Sequence, residues 1–344
     1  MAGVGYGGKC KSSNRIRRKF VKVELIIGGE NGLVLPAVEE GIEWTTQRRG
    51  TPGKLVFKVI SDNKLVFSEG SAVRLTVDGR KVFYGFVFTQ KRDKDGIIEV
   101  TAYDQLRYLK NKDTYVYENK TASELLQMIA TDFELQAGTI EDTGFKIPSR
   151  IEENTTLFDM LENALDLTLQ NTGRIFVLYD DFGRLALKNI SSMFVKKENS
   201  YLLIDEESGE NFEYSSSIDS DTYNQIKLTY DNEDTGKREV YIAKDGGNIN
   251  KWGVLQYYDT LKEGENGQAK ATALLNLYNA KTRKLKIKKA FGDCNVRAGS
   301  LIAVKLNLGD ISVNSFMLVE KAVHTFNLDE HFMDLTLKGG EINA

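Results

Sequence analysis

The chain of 344 residues is 41% hydrophobic and 28% charged, a mixture that excludes a wholly disordered protein. Its 46 basic and 49 acidic residues give a net charge of −3, so the chain as a whole lacks the basic excess of a polyanion-binding protein. Only two histidines occur, which leaves few routes to metal binding or acid–base catalysis. At about 150 residues per domain, the length predicts two or three domains.

The N-terminal residues 1–19 are basic and contain no apolar run of the kind found in a secretory signal. They are predicted to form a flexible arm. Nowhere in the chain do about 18 consecutive apolar residues occur, so no membrane insertion is predicted. The two cysteines, Cys10 and Cys294, form neither a metal-ligand pair nor a redox pair. Free thiols in a reducing cytoplasm are expected, although the sequence leaves a disulfide open.

Charge divides the chain into three segments. Residues 1–113 carry 21 basic and 13 acidic side chains, net +8. Residues 114–200 carry 8 and 14, net −6, and residues 201–344 carry 17 and 22, net −5. These boundaries coincide with changes in hydrophobic period, so we predict domains at 20–113, 114–200 and 201–344, after the arm at 1–19.

The segment 20–113 is predicted to be all-β. Short apolar-rich or alternating runs end at glycine, proline and aspartate turn signals, as strands of a small antiparallel barrel or sandwich do. The sequence from Arg48 to Gly53 has the composition of a hairpin tip. The predicted strands are 20–27, 42–46, 54–59, 73–77, 82–89 and 97–103.

The segment 114–200 is predicted to be a compact α+β insertion. Thr121 and Glu124 have the spacing of a capping box, and apolar residues then recur every three or four positions, as in an amphipathic helix. A second helix is expected from Thr155 or Thr156 to Gly173. A hairpin with strands at 175–179 and 184–187 follows it.

The segment 201–344 returns to strands, among them 225–230 and 239–243, with one helix at about 267–282 and further strands from 284 onward. Parts of it repeat the pattern of the first segment. Residues 70–77 match 299–306, 82–87 match 315–320, and 98–102 match 333–337, with offsets of 229, 233 and 235. Either one β-unit is used twice, or two unrelated antiparallel sheets share a common pattern.

No catalytic, cofactor or metal residue is predicted. His324 and His331 lack the three or four convergent ligands of a metal site, so one packed and one exposed histidine are expected. No G-x-S-x-G motif marks a nucleophile, and the glycine-rich residues 3–8 follow no strand. The sequence from Asp231 resembles a calcium loop, but its twelfth position is Ile242 instead of glutamate.

Basic residues form two clusters. One lies in the arm at 1–19. The other contains Lys284, Lys286 and Lys288, which share one face if this stretch is a strand. Such a face is usually a solvated edge that resists aggregation, but it could also line a surface that faces a polyanion.

Three stretches of the sequence together resemble a known family. They are EGIEWTT with RRGTPGKLVF (40–46 and 48–57), VFYGFV with TAYDQLRYL (82–87 and 101–109), and GDCNVRAG with FMLVEKAVH (292–299 and 316–324). Their order and combined span resemble the baseplate hub proteins of contractile phage tails, the late-control-D-like group, which includes PBSX-type tail hubs.

The resemblance implies a mostly β fold, in which two similar antiparallel β-barrel tube domains flank a small α+β domain. It also implies a homotrimeric ring that adapts the hexameric tail tube protein to the trimeric central spike protein, in the baseplate of a virion or phage-tail-like particle. Tape-measure and baseplate wedge proteins are further implied partners. The resemblance implies neither an enzymatic activity nor a cofactor.

The expected functional residues serve assembly. The strands at 73–77, 82–89, 301–306 and 316–321 would build the tube wall. The hairpin with Arg48, Arg49 and Lys54 would project toward a neighbouring ring, as an assembly loop. Lys284, Lys286 and Lys288 would face the lumen, through which DNA passes only in transit.

Two other functions stay open on the sequence alone. Residues 121–136 resemble the first helix of a peptidoglycan-binding LysM module, which favours a peptidoglycan-binding or lytic tail-associated protein. The net charge of +8 over residues 1–113 would instead suit a nucleic-acid-binding module, whose binding would depend on salt.

Overall fold

The computed structural model describes residues 20–29, 32–39, 41–61, 65–197, 200–219, 221–232, 236–261, 266–307 and 312–339. The predicted arm at 1–19, with Cys10 and the glycine-rich residues 3–8, lies outside these residues. The described chain is mostly β, as predicted. None of its helices is long and apolar enough to cross a membrane.

The strands of the first half are β1 (Val23–Gly29), β2 (Gly32–Val34), β3 (Ile42–Gln47), β4 (Lys54–Ile60), β5 (Ala72–Val77), β6 (Arg80–Arg92), β7 (Ile97–Tyr103), β8 (Lys112–Lys120), β9 (Ala137–Ile140), β10 (Ile147–Thr156), β11 (Phe176–Asp180) and β12 (Leu185–Asn189). Those of the second half are β13 (Lys196–Lys197), β14 (Ser200–Tyr201), β15 (Leu203–Ile204), β16 (Asn211–Ser217), β17 (Gln225–Asn232), β18 (Lys237–Lys244), β19 (Gln256–Thr260), β20 (Thr282–Phe291), β21 (Leu301–Asn307), β22 (Ser312–Asn327) and β23 (Glu330–Gly339). The α-helices are α1 (Ala122–Asp132), α2 (Leu157–Thr172), α3 (Gly246–Trp252) and α4 (Gly267–Tyr278).

One long sheet contains strands from both ends of the chain. Its order is β16-β20-β23-β22-β3-β4-β7-β6-β5-β1-β2, with β21 on β22 and β15 on β21. The pairing of β22 with β3 joins the C-terminal strands to the N-terminal ones. Among the described residues this path is open and forms no closed barrel, although Val38 returns to β4 through an isolated bridge to Val59. The arrangement of two barrels therefore stays a prediction.

Alternation along each strand gives the long sheet a buried and a polar face. In β4, Leu55, Phe57 and Val59 are buried, and the residues between them are half-buried or exposed. The N-terminal strands enclose one apolar core, and the C-terminal strands enclose a second one around Ile302 and Leu335. Burial of these apolar side chains stabilises both β-units.

The predicted internal repeat is visible in the hydrogen bonding. β5–β6–β7 and β21–β22–β23 are both antiparallel meanders. Each has a register shift at the same place, between Val87 and Thr89 in the first and between Val319 and Lys321 in the second. Four backbone bonds that hold the preceding turns also correspond in pairs: Gly70 N–Val87 O with Gly299 N–Val319 O, and Val87 N–Ser71 O with Val319 N–Ser300 O. This agreement favours a β-unit used twice.

The structure corrects the predicted repeat by one residue. The sequence pattern placed Val87 on Glu320, whereas the hydrogen bonds place it on Val319, an offset of 232 instead of 233. Val87 and Val319 are both buried, at 1% and 0% exposed. Because a slip of one residue moves side chains to the other face, the burial supports the corrected register. The error arose because the connections between the first two strands of the meanders differ in length: β5 ends at Val77 and β6 begins at Arg80, whereas β21 ends at Asn307 and β22 begins at Ser312.

The insertion between β7 and β13 contains the predicted helices. The capping box of α1 has both of its bonds: Glu124 N donates to Thr121 Oγ1 at 3.1 Å, and Thr121 N donates to Glu124 Oε2 at 2.7 Å. Helix α2 begins after Thr156 and ends at Gly173, which has a φ of 69°. Both helices pack their apolar faces into one core with β8 and β10.

Replacing Thr121 by alanine is expected to lower the free energy of unfolding by about 1 kcal/mol, because the Glu124 amide loses its acceptor. Urea denaturation measures this change. The matched control is Thr131→Ala, an exposed position on the same helix, for which a change within about 0.5 kcal/mol is expected. Equal effects of the two substitutions would contradict the capping role.

A second small module, which the sequence analysis did not separate, lies between β16 and β20. It contains a three-stranded sheet in the order β18-β17-β19, with α4 packed on one side of it. The helix predicted at about 267–282 ends at Tyr278, because the chain must turn there to enter β20. The strands predicted at 225–230 and 239–243 correspond to β17 and β18, but periodicity does not show that they are separate from the long sheet.

Candidate functional site

The three lysines predicted to share a face do so on β20. Lys284, Lys286 and Lys288 are exposed, whereas Leu285 and Ile287 between them are buried. β20 lies between β16 and β23, so this face belongs to the interior of the long sheet and not to its edge. The interpretation as an edge that resists aggregation is therefore wrong.

Acidic residues on neighbouring strands offset part of this charge. Lys286 Nζ lies 3.2 Å from a Glu213 carboxylate oxygen, and Lys288 Nζ lies 3.7 Å from an Asp334 oxygen. These pairs are about half exposed, so each contributes little to stability.

The polar face continues across the junction between the two β-units. Lys284 lies opposite Lys338 on β23, and beyond the bulge Lys321 on β22 lies opposite Gln47 on β3. Antiparallel partners point to the same side of a sheet, so these side chains line one surface. This surface carries several lysines and extends over strands of both β-units.

The two arginines of the 48–54 hairpin contact the rest of the chain, and the projection of the hairpin toward a neighbouring ring stays a prediction. Arg48 is only 16% exposed, and its Nε lies 2.9 Å from Glu320 Oε2 on β22. Arg49 pairs with Asp166 and Glu162 of α2. Burial opposes its charge, but these carboxylates raise the pKa of Arg49. The hairpin thus links the first β-unit to β22 and to the insertion.

Lys54 has a different environment from the two arginines. It begins β4, is half-buried, and lies opposite Thr45 and Tyr103 on the neighbouring strands. The structure therefore does not bring Arg48, Arg49 and Lys54 together as one exposed basic loop. At the tip, Gly50 is exposed.

A buried charged cluster lies where the two β-units and the insertion meet. Asp104 follows β7, Asp180 ends β11, and Arg297 precedes β21. Asp104 accepts hydrogen bonds from the amides of Gly53 and Leu106 at 2.9 and 3.1 Å. The fold thus brings together charged side chains from three segments that are distant in sequence.

The guanidinium of Arg297 connects the cluster. It stacks on the Tyr179 ring at 4.1 Å and donates to the Asp180 carbonyl at 3.0 Å. Burial, with the charge of Asp180, raises the pKa of Asp104, and burial also raises the pKa of Asp180 to about 6. Burial lowers the pKa of Arg297, although both carboxylates oppose this. Because two acids and one base are buried together, loss of any one of them would leave a buried group without its partner. This indicates a structural role for the cluster.

Both histidines are buried, at 0% and 5% exposed, so the prediction of one exposed histidine is wrong. His324 Nε2 donates to the Val296 carbonyl at 2.9 Å, which leaves its Nδ1 as an acceptor. His331 Nε2 donates to that atom at 2.8 Å. Trp44 stacks on His324 at 4.7 Å, so the pair lies at the β22–β3 junction.

Burial lowers the pKa of His324 well below its ordinary value and lowers the pKa of His331 to about 4. The pair is thus neutral at pH 7. Within the described ranges, no group of three His, Cys, Asp or Glu side chains could hold a metal ion. The geometry supports packing of the two β-units against each other.

Sequence reasoning missed the Asp104–Asp180–Arg297 cluster, because its members lie far apart in the chain. One signal was present: Arg297 lies within the GDCNVRAG stretch that carried the family resemblance. Arginine is almost never fully buried unless it is paired, so an arginine in a conformationally restricted stretch can indicate a specific buried partner. The identity of that partner depends on the fold.

Comparisons with known proteins agree with the resemblance. The profile of the family described as YQBQ-like matches residues 42–338. The protein YqbQ of Bacillus subtilis is 30% identical over 316 residues, covering 88% of this chain and 92% of YqbQ. The phage-like element PBSX protein XkdQ of the same organism is 32% identical, covering 78% of this chain and 81% of XkdQ.

A solved structure shares the fold. The 43 kDa tail protein of prophage MuSo2 from Shewanella oneidensis superimposes with a TM-score of 0.63, covering 92% of this chain and 96% of that protein, at 11% identity. At this identity, the likeness concerns the fold alone. Because the profile and both Bacillus relatives extend over most of the sequence, this chain belongs to the YQBQ-like family, and its predicted resemblance to PBSX-type tail proteins is confirmed.

Proposed function

We propose that this chain is the structural baseplate hub of a contractile tail. It forms a homotrimeric ring that adapts the hexameric tail tube protein to the trimeric central spike protein, within a virion or phage-tail-like particle. The relative XkdQ belongs to a phage-like element, and the fold is that of a prophage tail protein. Both support a role in a tail.

The internal repeat is the observation that carries the proposal. Two β-units with matching meanders, bulges and turns occur in one chain. Three chains would then present six similar units to a sixfold tube, while the ring keeps threefold symmetry toward the spike. Cyclic homo-oligomers of this kind are common among soluble proteins.

The polar face of the long sheet suits a lumen. Lys284, Lys286 and Lys288 lie on it, and it continues across both β-units. We propose that this face lines the channel, where the tape-measure protein and DNA pass. The 48–54 hairpin remains a proposed assembly loop, through exposed Gly50, beside baseplate wedge proteins. The role is structural and not enzymatic.

The mass in solution tests the ring. Light scattering over a range of concentrations is expected to give three times the chain mass of 38.7 kDa. A monomer or dimer at every concentration would contradict the trimer. Clearing of a peptidoglycan turf by the purified protein would instead favour the lytic alternative.

Neutralising the three lysines tests the lumen. The variant with Lys284→Gln, Lys286→Gln and Lys288→Gln is expected to keep the trimer mass, because these side chains make only exposed ion pairs. Tail particles assembled with it are expected to lose activity against sensitive cells. Failure of this variant to form the trimer would show that the lysines serve assembly and not the channel.

A further inference from the structure

The repeat extends to strands outside the two meanders. β4 pairs with β7 in the first unit as β20 pairs with β23 in the second. Leu55 lies opposite Ala102, and Leu285 lies opposite Leu337. Because Ala102 and Leu337 correspond through the shared bulge, Leu55 corresponds to Leu285, with an offset of 230.

β3 and β16 are then equivalent strands. Glu43 of β3 lies opposite Val56, and Glu213 of β16 lies opposite Lys286, which is 230 residues after Val56. The sequences agree at each position in character: IEWTT at 42–46 and FEYSS at 212–216. Each has an apolar residue, a glutamate, an aromatic residue and two hydroxyl residues.

The outer edges of these two strands differ. β3 pairs on that side with β22, so Ile42 and Thr46 are only 6% and 4% exposed. β16 ends the path of the sheet, and no strand of the described chain covers its outer edge. The equivalent residues Phe212 and Ser216 are exposed, Phe212 by 40%. Positions that are buried in one copy are thus open in the other.

A matching edge is open on β6. The part of β22 that receives β3 corresponds, through the offset of 232, to residues 89–92 of β6. β5 pairs with β6 only as far as Phe86, and the preceding turn bonds to Val87. Among the described strands, the β5 side of Thr89–Arg92 has no partner.

We propose that β16 pairs antiparallel with residues 89–92 of β6 in a second copy of this chain, in the register of the β3–β22 junction. The predicted partners are Ser217 with Thr89, Ser216 with Gln90, Ser215 with Lys91, and Tyr214 with Arg92. This inference rests on the proposed ring and names the surface that closes it. Within one chain, the β3–β22 junction joins the first β-unit to the second. Between chains, the β16–β6 pairing would join the second β-unit of one chain to the first β-unit of the next.

A side-chain hydrogen bond supports the equivalence. In the junction within the chain, the Ala298 amide donates to Thr46 Oγ1 at 2.9 Å. The corresponding residues are Glu69 and Ser216, and Ser216 retains the hydroxyl. Ala298 is buried, whereas Glu69 is exposed in the single chain. A second copy would place the Ser216 hydroxyl opposite the Glu69 amide, as Thr46 lies opposite Ala298.

At the end of this register, the contact between the two edges would be apolar instead of ionic. The ion pair Arg48–Glu320 of the junction within the chain corresponds to Ile218 and Phe88, an apolar pair whose members are both half-buried.

The proposed pairing between chains can close the assembly into a ring. β16 and β6 are different surfaces of one molecule, so their contact is head-to-tail and generates either a ring or a filament. A ring of three chains would contain three junctions within chains and three between them, all with one register. Both exposed strand edges would then be covered, which removes a site of uncontrolled association.

Disulfide cross-linking of the pair Ser215→Cys and Lys91→Cys tests the register. In the β3–β22 junction, the equivalent pair is Thr45 and Val323. The Arg48 amide donates to the Glu320 carbonyl, so Arg48 and Glu320 form a hydrogen-bonded pair. Because the two kinds of pair alternate along antiparallel strands, Thr45 and Val323 form a non-hydrogen-bonded pair. Such non-hydrogen-bonded partners have Cα atoms about 4.5 Å apart, within the range of a disulfide.

Under mild oxidation, the double variant is expected to give covalent trimers on a non-reducing gel. The control pair Ser215→Cys with Gln90→Cys is shifted by one residue onto the opposite face, and at least a tenfold lower yield is expected. The unmutated chain reports any background from Cys10 and Cys294. Equal yields from the two pairs would overturn the register.

The outcomes separate this inference from the proposed trimer. A ladder extending beyond three chains would support the edge pairing and contradict the trimer. A trimer by light scattering without cross-links would support the trimer and overturn the edge pairing. A monomer without cross-links, at the highest soluble concentration, would overturn both.

A second variant tests the same edge without cysteines. Ser216→Lys places a long charged side chain where the equivalent Thr46 is buried, and it is exposed in the single chain. Loss of the trimer mass is expected, with the circular dichroism spectrum unchanged. Ser192→Lys, at an exposed serine in the insertion, is expected to retain the trimer. A trimer of unchanged stability with Ser216→Lys would overturn the edge pairing.

Discussion

Replacing Arg297 by methionine is expected to lower the free energy of unfolding by about 3–5 kcal/mol, because the buried carboxyl groups of Asp104 and Asp180 then lose the cation that favours their charged forms. Methionine keeps most of the packing over Tyr179, so the effect reports charge and not volume. Urea denaturation at pH 7 measures it. Lys305→Met, at an exposed position on β21, is expected to change stability by less than about 0.5 kcal/mol.

A rescue distinguishes the charge cluster from a local packing defect. Asp180→Asn in the Arg297→Met background is expected to recover part of the loss, because it removes one of the uncompensated charges. The pKa of Asp180, about 6 in the folded chain, lies above its ordinary value of 3.8. Because Arg297 lowers the pKa of both carboxyl groups, the stability difference between the original chain and Arg297→Met should shrink as the pH falls from 7 toward 4. No recovery in either experiment would contradict the proposed role of Arg297.

Acidification from pH 6.5 to 4 is expected to weaken the fold by about 3 kcal/mol through His331. Burial lowers the pKa of His331 to about 4 from an ordinary value of 6.5, so the unfolded chain binds the proton first. The loss begins as the pH falls below 6.5 and is complete near 4. His324, whose pKa is also lowered by burial, acts in the same direction.

The pKa values of Asp104 and Asp180 are raised, so the titration of these carboxyl groups opposes the pH dependence that His331 causes. A variant is therefore needed to isolate the contribution of His331. Asp78 favours the protonated form of His331, and Arg297 disfavours that of His324. His331→Gln retains a donor toward His324 and removes the titration of His331. The difference in unfolding free energy between the original chain and this variant, followed from pH 7 to 4, is expected to shift by about 3 kcal/mol. A constant difference would contradict the prediction.

The two predictions concern the same mechanical feature. Arg297 ties the insertion to both β-units, and the histidine pair packs under Trp44 where β22 meets β3.

Much of the fold could be predicted because it rests on local rules. The alternation at 73–77 and 97–103 fixes strands that bury one face, and Thr121 with Glu124 fixes the start of α1. Glycine at 70 and 299, with φ of 88° and 91°, marks the same turn in both copies. These signals lie within a few residues, so the sequence displays them directly.

Other features depend on which distant segments meet. Nothing near β3 indicates that its outer edge pairs with β22, or that Arg48 finds Glu320 there and not a neighbouring ring. The register of the repeat was off by one, because the β5–β6 and β21–β22 connections differ in length and the pattern along one strand does not show which residues pair.

The sequence by itself determined the family and much of the succession of strands and helices, and it offered a repeat as one of two alternatives, because periodicity and turn chemistry are local properties. Only the tertiary structure decided where Arg297 finds its carboxylates and that both histidines are buried. It also decided that β3 is covered while its equivalent β16 is open. Burial and pairing depend on contacts between residues hundreds of positions apart, and the chain must be folded before those contacts exist.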